Sequence, residues 1–170
     1  MQRYLLATLA IGALSLTSAC ASQPGATAQA AGVERMQCDS SSTSQDDLVR
    51  SIAVLRVEPV YSHVRTNNSS EERVNGAKLL VRPPKGVTAD QLTRILQCHS
   101  ARVLLGQLNS SVPNDPYWLP DRWVNIDVRS ENGNFAVTVS ADTVRDNLQV
   151  YGRANHYADD HTLATDPGLP

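Results

Sequence analysis

Aromatic residues make up 5% of this chain, cysteine occurs three times, and neither sign of charge dominates. Each shortage excludes something. Fifteen Lys and Arg against 17 Asp and Glu leave a net charge of −2 and no basic stripe, so the footprint of a nucleic-acid partner is missing. There is no Gly-rich phosphate loop, paired-cysteine zinc motif, haem-attachment motif or nucleophile elbow. Motifs therefore assign no catalytic residue, no metal and no cofactor. No apolar run reaches the roughly 20 residues that a membrane-spanning helix needs. What is present, 41% apolar and 19% charged residues in a chain of 170, suits one globular domain.

The first twenty residues have the three zones of an export signal. Met1–Arg3 is short and positive, Tyr4–Leu16 is apolar and uncharged, and Thr17-Ser18-Ala19 is small and polar. Leu16-Thr17-Ser18-Ala19-Cys20 resembles the lipobox of bacterial lipoproteins, with Leu16 one position earlier than that motif's usual leucine. The resemblance implies cleavage before Cys20, lipid on Cys20, and attachment to a membrane through that lipid. Ala21, a small neutral residue after the cysteine, implies by the same resemblance the periplasmic face of the outer membrane. An ordinary secretory signal, cut at Ala19-Cys20-Ala21 or at Ala28-Gln29-Ala30, is the competing reading. If lipid takes Cys20, Cys38 and Cys98 remain as one pair, and an oxidising compartment favours a disulfide between them. The alternative is two free thiols, one of them reactive.

These features divide the chain into a signal peptide over 1–19, a lipidated flexible linker over 20–37, one α+β domain over 38–157 and a disordered tail over 158–170. The linker is expected because Ala21–Val33 is rich in Ala, Ser, Gln, Gly and Thr, a composition that buries little. Asp46-Asp47 ahead of Leu48, Ile52 and Leu55 predicts a short helix with acids in its first turn. A β-rich run over Val54–Val64, a polar loop over Thr66–Glu72 and a strand over Arg73–Arg82, closed by Pro83-Pro84, follow. Thr88-Ala89-Asp90-Gln91 is a capping box that opens a helix with Leu92, Ile95, Leu96, His99 and Val103 on one face and Gly106 as its stop. Pro113, Pro116 and Pro120 make Gln107–Arg122 a loop.

Asn132-Gly133 suits a type I′ hairpin turn. That turn sets Val128 opposite Val137, Ile126 opposite Val139 and Asp127 opposite Thr138, one face apolar and the other polar. A last helix is expected over Ala141–His156 with Ser140 as its cap. Val87-Thr88-Ala89-Asp90 and Val139-Ser140-Ala141-Asp142 echo one another, which reads as a duplicated unit or as repeated use of one cap. The order β-β-α-β-β-α predicts a four-stranded antiparallel sheet with two helices on one face, an α+β fold.

Three groups could carry chemistry. His99 lies mid-face on the first long helix beside Cys98, as a core ring with one hydrogen bond or as the base of a small hydrolase-like enzyme. Adjacent helical residues point about 100° apart, so the two do not converge. His156 and His161, with Asp159 and Asp160 between them, carry metal-binding donor types at a spacing that matches no strong motif, and a solvated tail is the alternative. Tyr117, Trp118 and Trp123 cluster in the Pro-rich loop, either as a lid over the core or as a stiff binding surface. Gly76-Ala77, Cys98-His99 and the Pro/Trp-rich loop before Trp123 make the mature domain similar to small exported proteins of Gram-negative bacteria of no known activity. The expectation is a membrane-anchored envelope lipoprotein with a non-catalytic domain that binds an envelope protein or a cell-wall component.

Overall fold

The computed structural model describes residues 24–38, 42–66, 69–110 and 114–161, so Cys20 and the signal segment lie outside the described residues. Four helices, α1 (Ala26–Gln37), α2 (Ser42–Arg50), α3 (Ala89–Leu104) and α4 (Val144–His161), accompany four strands, β1 (Val54–Thr66), β2 (Ser69–Val81), β3 (Val124–Glu131) and β4 (Asn134–Ala141). The strands form one antiparallel sheet in the order β1-β2-β4-β3.

The pleat sends alternate residues to opposite faces. One face carries Ala77, Leu79 and Val81 of β2, Val137 and Val139 of β4, and Val124, Ile126 and Val128 of β3, all buried. Leu92 and Leu96 of α3 and Val150, Ala154 and Tyr157 of α4 complete the same core, so both long helices cover that face. The opposite face holds Lys78, which pairs with Glu58 and Glu131. The β3–β4 register is the one the Asn-Gly turn dictates, Val128 with Val137, Ile126 with Val139 and Asp127 with Thr138. Asn132 and Gly133 both take positive φ, 51° and 78°. The capping box also forms: Thr88 Oγ1 accepts from the Gln91 N–H at 3.2 Å, and Gln91 Oε1 accepts from the Thr88 N–H at 2.9 Å.

Five expectations are corrected. Residues 26–37, read as flexible linker, are the helix α1. Ala and Gln favour helix, Ala30 is buried, and Glu34 pairs with Arg102 of α3 at 3.2 Å. Cys38 at its end is bonded to Cys98; poor burial is offset by a covalent tie and a neighbouring helix. The helix at Asp46-Asp47 begins earlier, at Ser42, which puts the acids beyond its first turn, and Leu55 belongs to β1.

Of the polar loop over Thr66–Glu72, Thr66 and residues 69–72 are paired strand instead, with Thr66 opposite Ser69 and Val64 opposite Glu71, while 67–68 lie outside the described residues. Neither face of that ribbon is buried in the core, so no apolar alternation marks it. Last, α4 is capped by Thr143, whose Oγ1 accepts from the Asp146 N–H at 3.1 Å, and it runs to His161. Ser140 stays in β4 opposite Asn125. The tail read as disordered is therefore helical through residue 161.

Candidate functional site

His99 gathers the most chemistry. The apolar spacing of α3 turns it inward, where 6% of it stays exposed. Its Nε2 lies 2.6 Å from Oδ2 of Asp115. Its Nδ1 lies 3.5 Å from Oδ1 of Asp46, an ion-pair distance too long for a good hydrogen bond. Burial by itself would lower the pKa of the ring. The hydrogen bond and charge of Asp115, then those of Asp46, outweigh it, and the imidazole is raised above its ordinary 6.5.

Asp115 is 1% exposed and fully engaged. Its Oδ1 accepts from the Tyr117 N–H at 2.8 Å, and Ser110 Oγ stands 3.5 Å from Oδ2. The proline-rich loop bends tightly at this aspartate because the carboxylate holds the backbone two residues on. Arg153 of α4 donates from Nη1 to the carbonyls of Asp115, 3.1 Å, and Trp118, 2.6 Å, with its guanidinium 5.0 Å above the Trp118 ring. α2, α3, the loop and α4 thus meet at one buried polar knot.

A general base needs a free nitrogen and a path for substrate. Both nitrogens of His99 face carboxylates, and the thiol beside it is consumed: Cys98 is bonded to Cys38, with Cα atoms 5.6 Å apart. The knot joins α2, α3, the loop and α4.

The aromatic loop turns inward. Tyr117 is wholly buried, edge-on to Tyr157 at 5.7 Å, and burial raises its hydroxyl well above the ordinary tyrosine value. Trp118 and Trp123 are half-buried. The lid reading fits these positions, and Tyr117 is withdrawn as a surface residue.

His156 and His161 both lie in α4. His161 stacks on Tyr157 at 3.9 Å and donates to the Tyr157 carbonyl at 2.9 Å. Among the described residues no group of three or more His, Cys, Asp or Glu is placed to hold a metal ion. A groove of about 280 Å³ beside α3, lined by Gln45, Val87, Gln91, Arg94 and Ile95, does not have His99 in its wall.

Sequence reasoning found His99 but missed both of its partners. Asp46 looked like an acid in a first turn, and Asp115 was one polar residue in a loop of prolines. An aspartate flanked by Asn114 and Pro116 is a turn signal, but nothing local states that the turn lies against a residue 16 positions earlier. The chain matches no known family model, no curated protein and no solved structure.

Proposed function

We propose that the protein is a lipoprotein of the bacterial envelope, cut before Cys20 and lipidated there, whose domain binds an envelope protein or cell-wall component without catalysis. The observation that carries this reading is the bond between Cys38 and Cys98. It leaves Cys20 as the odd cysteine, directly after a positive, then apolar, then small leader. Bridges of this kind persist outside the reducing cytosol. Ala21 after the acylated position favours the periplasmic face of the outer membrane. A hydrolase-like enzyme built on His99 is the weaker reading, because the ring is 6% exposed and its Nε2 is held by the buried carboxylate of Asp115.

Intact-mass measurement on protein extracted from envelopes of a Gram-negative host tests the proposal. The expected species lacks residues 1–19 and carries acyl chains on residue 20. A secreted, unacylated chain, or one with its leader retained, would refute it.

A further inference from the structure

The β1–β2 hairpin outgrows the sheet. β2 pairs with β4 only from Ala77 to Val81, yet it continues with β1 back to Ser69. The overhanging ribbon leaves Tyr61 52% and Val64 37% exposed. A two-stranded ribbon by itself is marginal in water, so what lies beside it matters.

Its direction follows from the pairings. Gln97 of α3 donates to the Ile126 carbonyl, and Thr93 accepts from the Val128 N–H. α3 therefore runs antiparallel to β3 and ends near Val124. Val124 is opposite Ala141, the end of β4 that the ribbon passes. α1 lies antiparallel to α3, because Glu34 meets Arg102 and Cys38 meets Cys98. The start of α1 thus projects from the same end of the domain as the ribbon.

The two project comparably. Ile126, Val139 and Ala77 are in register across the sheet, level with Gln97. From that level to Ala26 is about 20 Å by helical rise. From Ala77 to Ser69 is about 26 Å by strand rise.

Only residues 21–25 separate Cys20 from α1. A chain that short spans at most about 20 Å, where an unstructured linker to Cys38 would have allowed about 60 Å. Resting on the lipid-anchor reading above, we infer that the ribbon lies against the bilayer that holds Cys20, with Arg65 and Ser70, paired on one face, at its headgroups and Tyr61 further along that same face. The chemistry fits a lipid surface. Tyrosine pairs an apolar ring with a polar tip, and arginine lays an apolar stem under a charged head. Arg65 and Arg73 balance Glu71 and Glu72, so the ribbon suits a largely zwitterionic surface. The anchor makes the contact intramolecular, and a weak contact suffices.

The test uses the full lipidated protein in vesicles of phosphatidylethanolamine and phosphatidylglycerol that contain headgroup-nitroxide lipid. A fluorophore is placed at S70C or, at the far end of the sheet, at K85C, with acylation of each sample checked by mass. Quenching at least threefold stronger at position 70 than at 85 is expected. Acylated protein with equal quenching at the two positions would overturn this inference alone and leave the ribbon to a protein partner. Protein without acyl chains on Cys20 would overturn the anchor reading and this one together.

Discussion

Two basic side chains in this molecule each stand between two carboxylates. On the open face of the sheet, Lys78 Nζ lies 3.2 Å from Glu58 and 3.2 Å from Glu131. Behind the helices, His99 lies between Asp115 and Asp46. The Coulomb pattern is the same and the solvent is not. Lys78 keeps 27% of its side chain in water, His99 6%. Taking charges out of water costs several kcal/mol per ion, so the buried trio holds together only as a set. Water would solvate each member of the exposed trio separately, so it contributes little to the fold. Placement, more than the count of contacts, decides which trio the structure depends on.

The largest expected effect comes from removing the buried imidazole. H99F fills the same core position with a ring of similar size, which would be harmless if His99 were only a packing residue. It leaves Asp115 and Asp46 facing each other's charge in a dry interior. Breaking a buried pair in this way costs about 3–5 kcal/mol, read as a fall in the urea midpoint at unchanged slope. A midpoint within error of the parent would show that the knot does not hold the fold.

Next in size is a dependence on pH that the buried trio produces near neutrality. The folded state raises the imidazole above 6.5, so it binds the proton more tightly than the unfolded chain. The stabilisation is therefore complete below pH 6.5 and is lost as pH rises through the folded value; a tenfold gain in proton affinity on folding corresponds to about 1.4 kcal/mol. The urea midpoint should fall on alkaline titration from pH 6.5, and the fall should vanish in H99F. Lys78 is also raised, by hydrogen bonds to Glu131 and then Glu58, from an ordinary value of 10.5, so it is silent in this window. An NMR titration placing the His99 ring at or below 6.5 would contradict the sign.

The same division, local against long-range, separates what could be read from the sequence from what could not. The Thr88–Gln91 box and the Asn132-Gly133 register are encoded within a few residues, and both are found as read. The Cys38–Cys98 bond was legible through the parity of three cysteines. The echo shows where local reading stops. Val-Thr-Ala-Asp at 87–90 starts a helix because Pro83-Pro84 has already ended β2. Val-Ser-Ala at 139–141 stays extended because Ile126, Asn125 and Val124 lie opposite to pair with it, and Asp142 falls in the turn that follows. The cap moves to Thr143, and Val144 and Leu148, aligned by the echo with buried Leu92 and Leu96, face solvent. Asn147 secures the turn, accepting from the Ala141 N–H at 2.7 Å and donating to its carbonyl at 2.9 Å. Asp46 and Asp115 escaped for the same reason, since their roles are fixed by a neighbour remote in sequence.

The smallest expected effect completes the comparison. K78M removes the exposed cation and keeps most of its apolar stem, leaving Glu58 and Glu131 to water. Exposed pairs contribute about 0.2–1 kcal/mol, so the loss should stay within about 1 kcal/mol, whereas H99F exceeds it severalfold. Salt gives a sharper discriminator than size. At 1 M ionic strength the screening length is about 3 Å, comparable with the Lys78 contacts, so a double-mutant cycle between Lys78 and Glu131 should lose most of its coupling there. The corresponding cycle between His99 and Asp115 should keep its coupling, because ions do not enter the space between groups 6% and 1% exposed. If the Lys78 coupling proved as large and as salt-resistant as that of His99, solvent would not be what separates the two trios, and the knot would lose its special place in the fold.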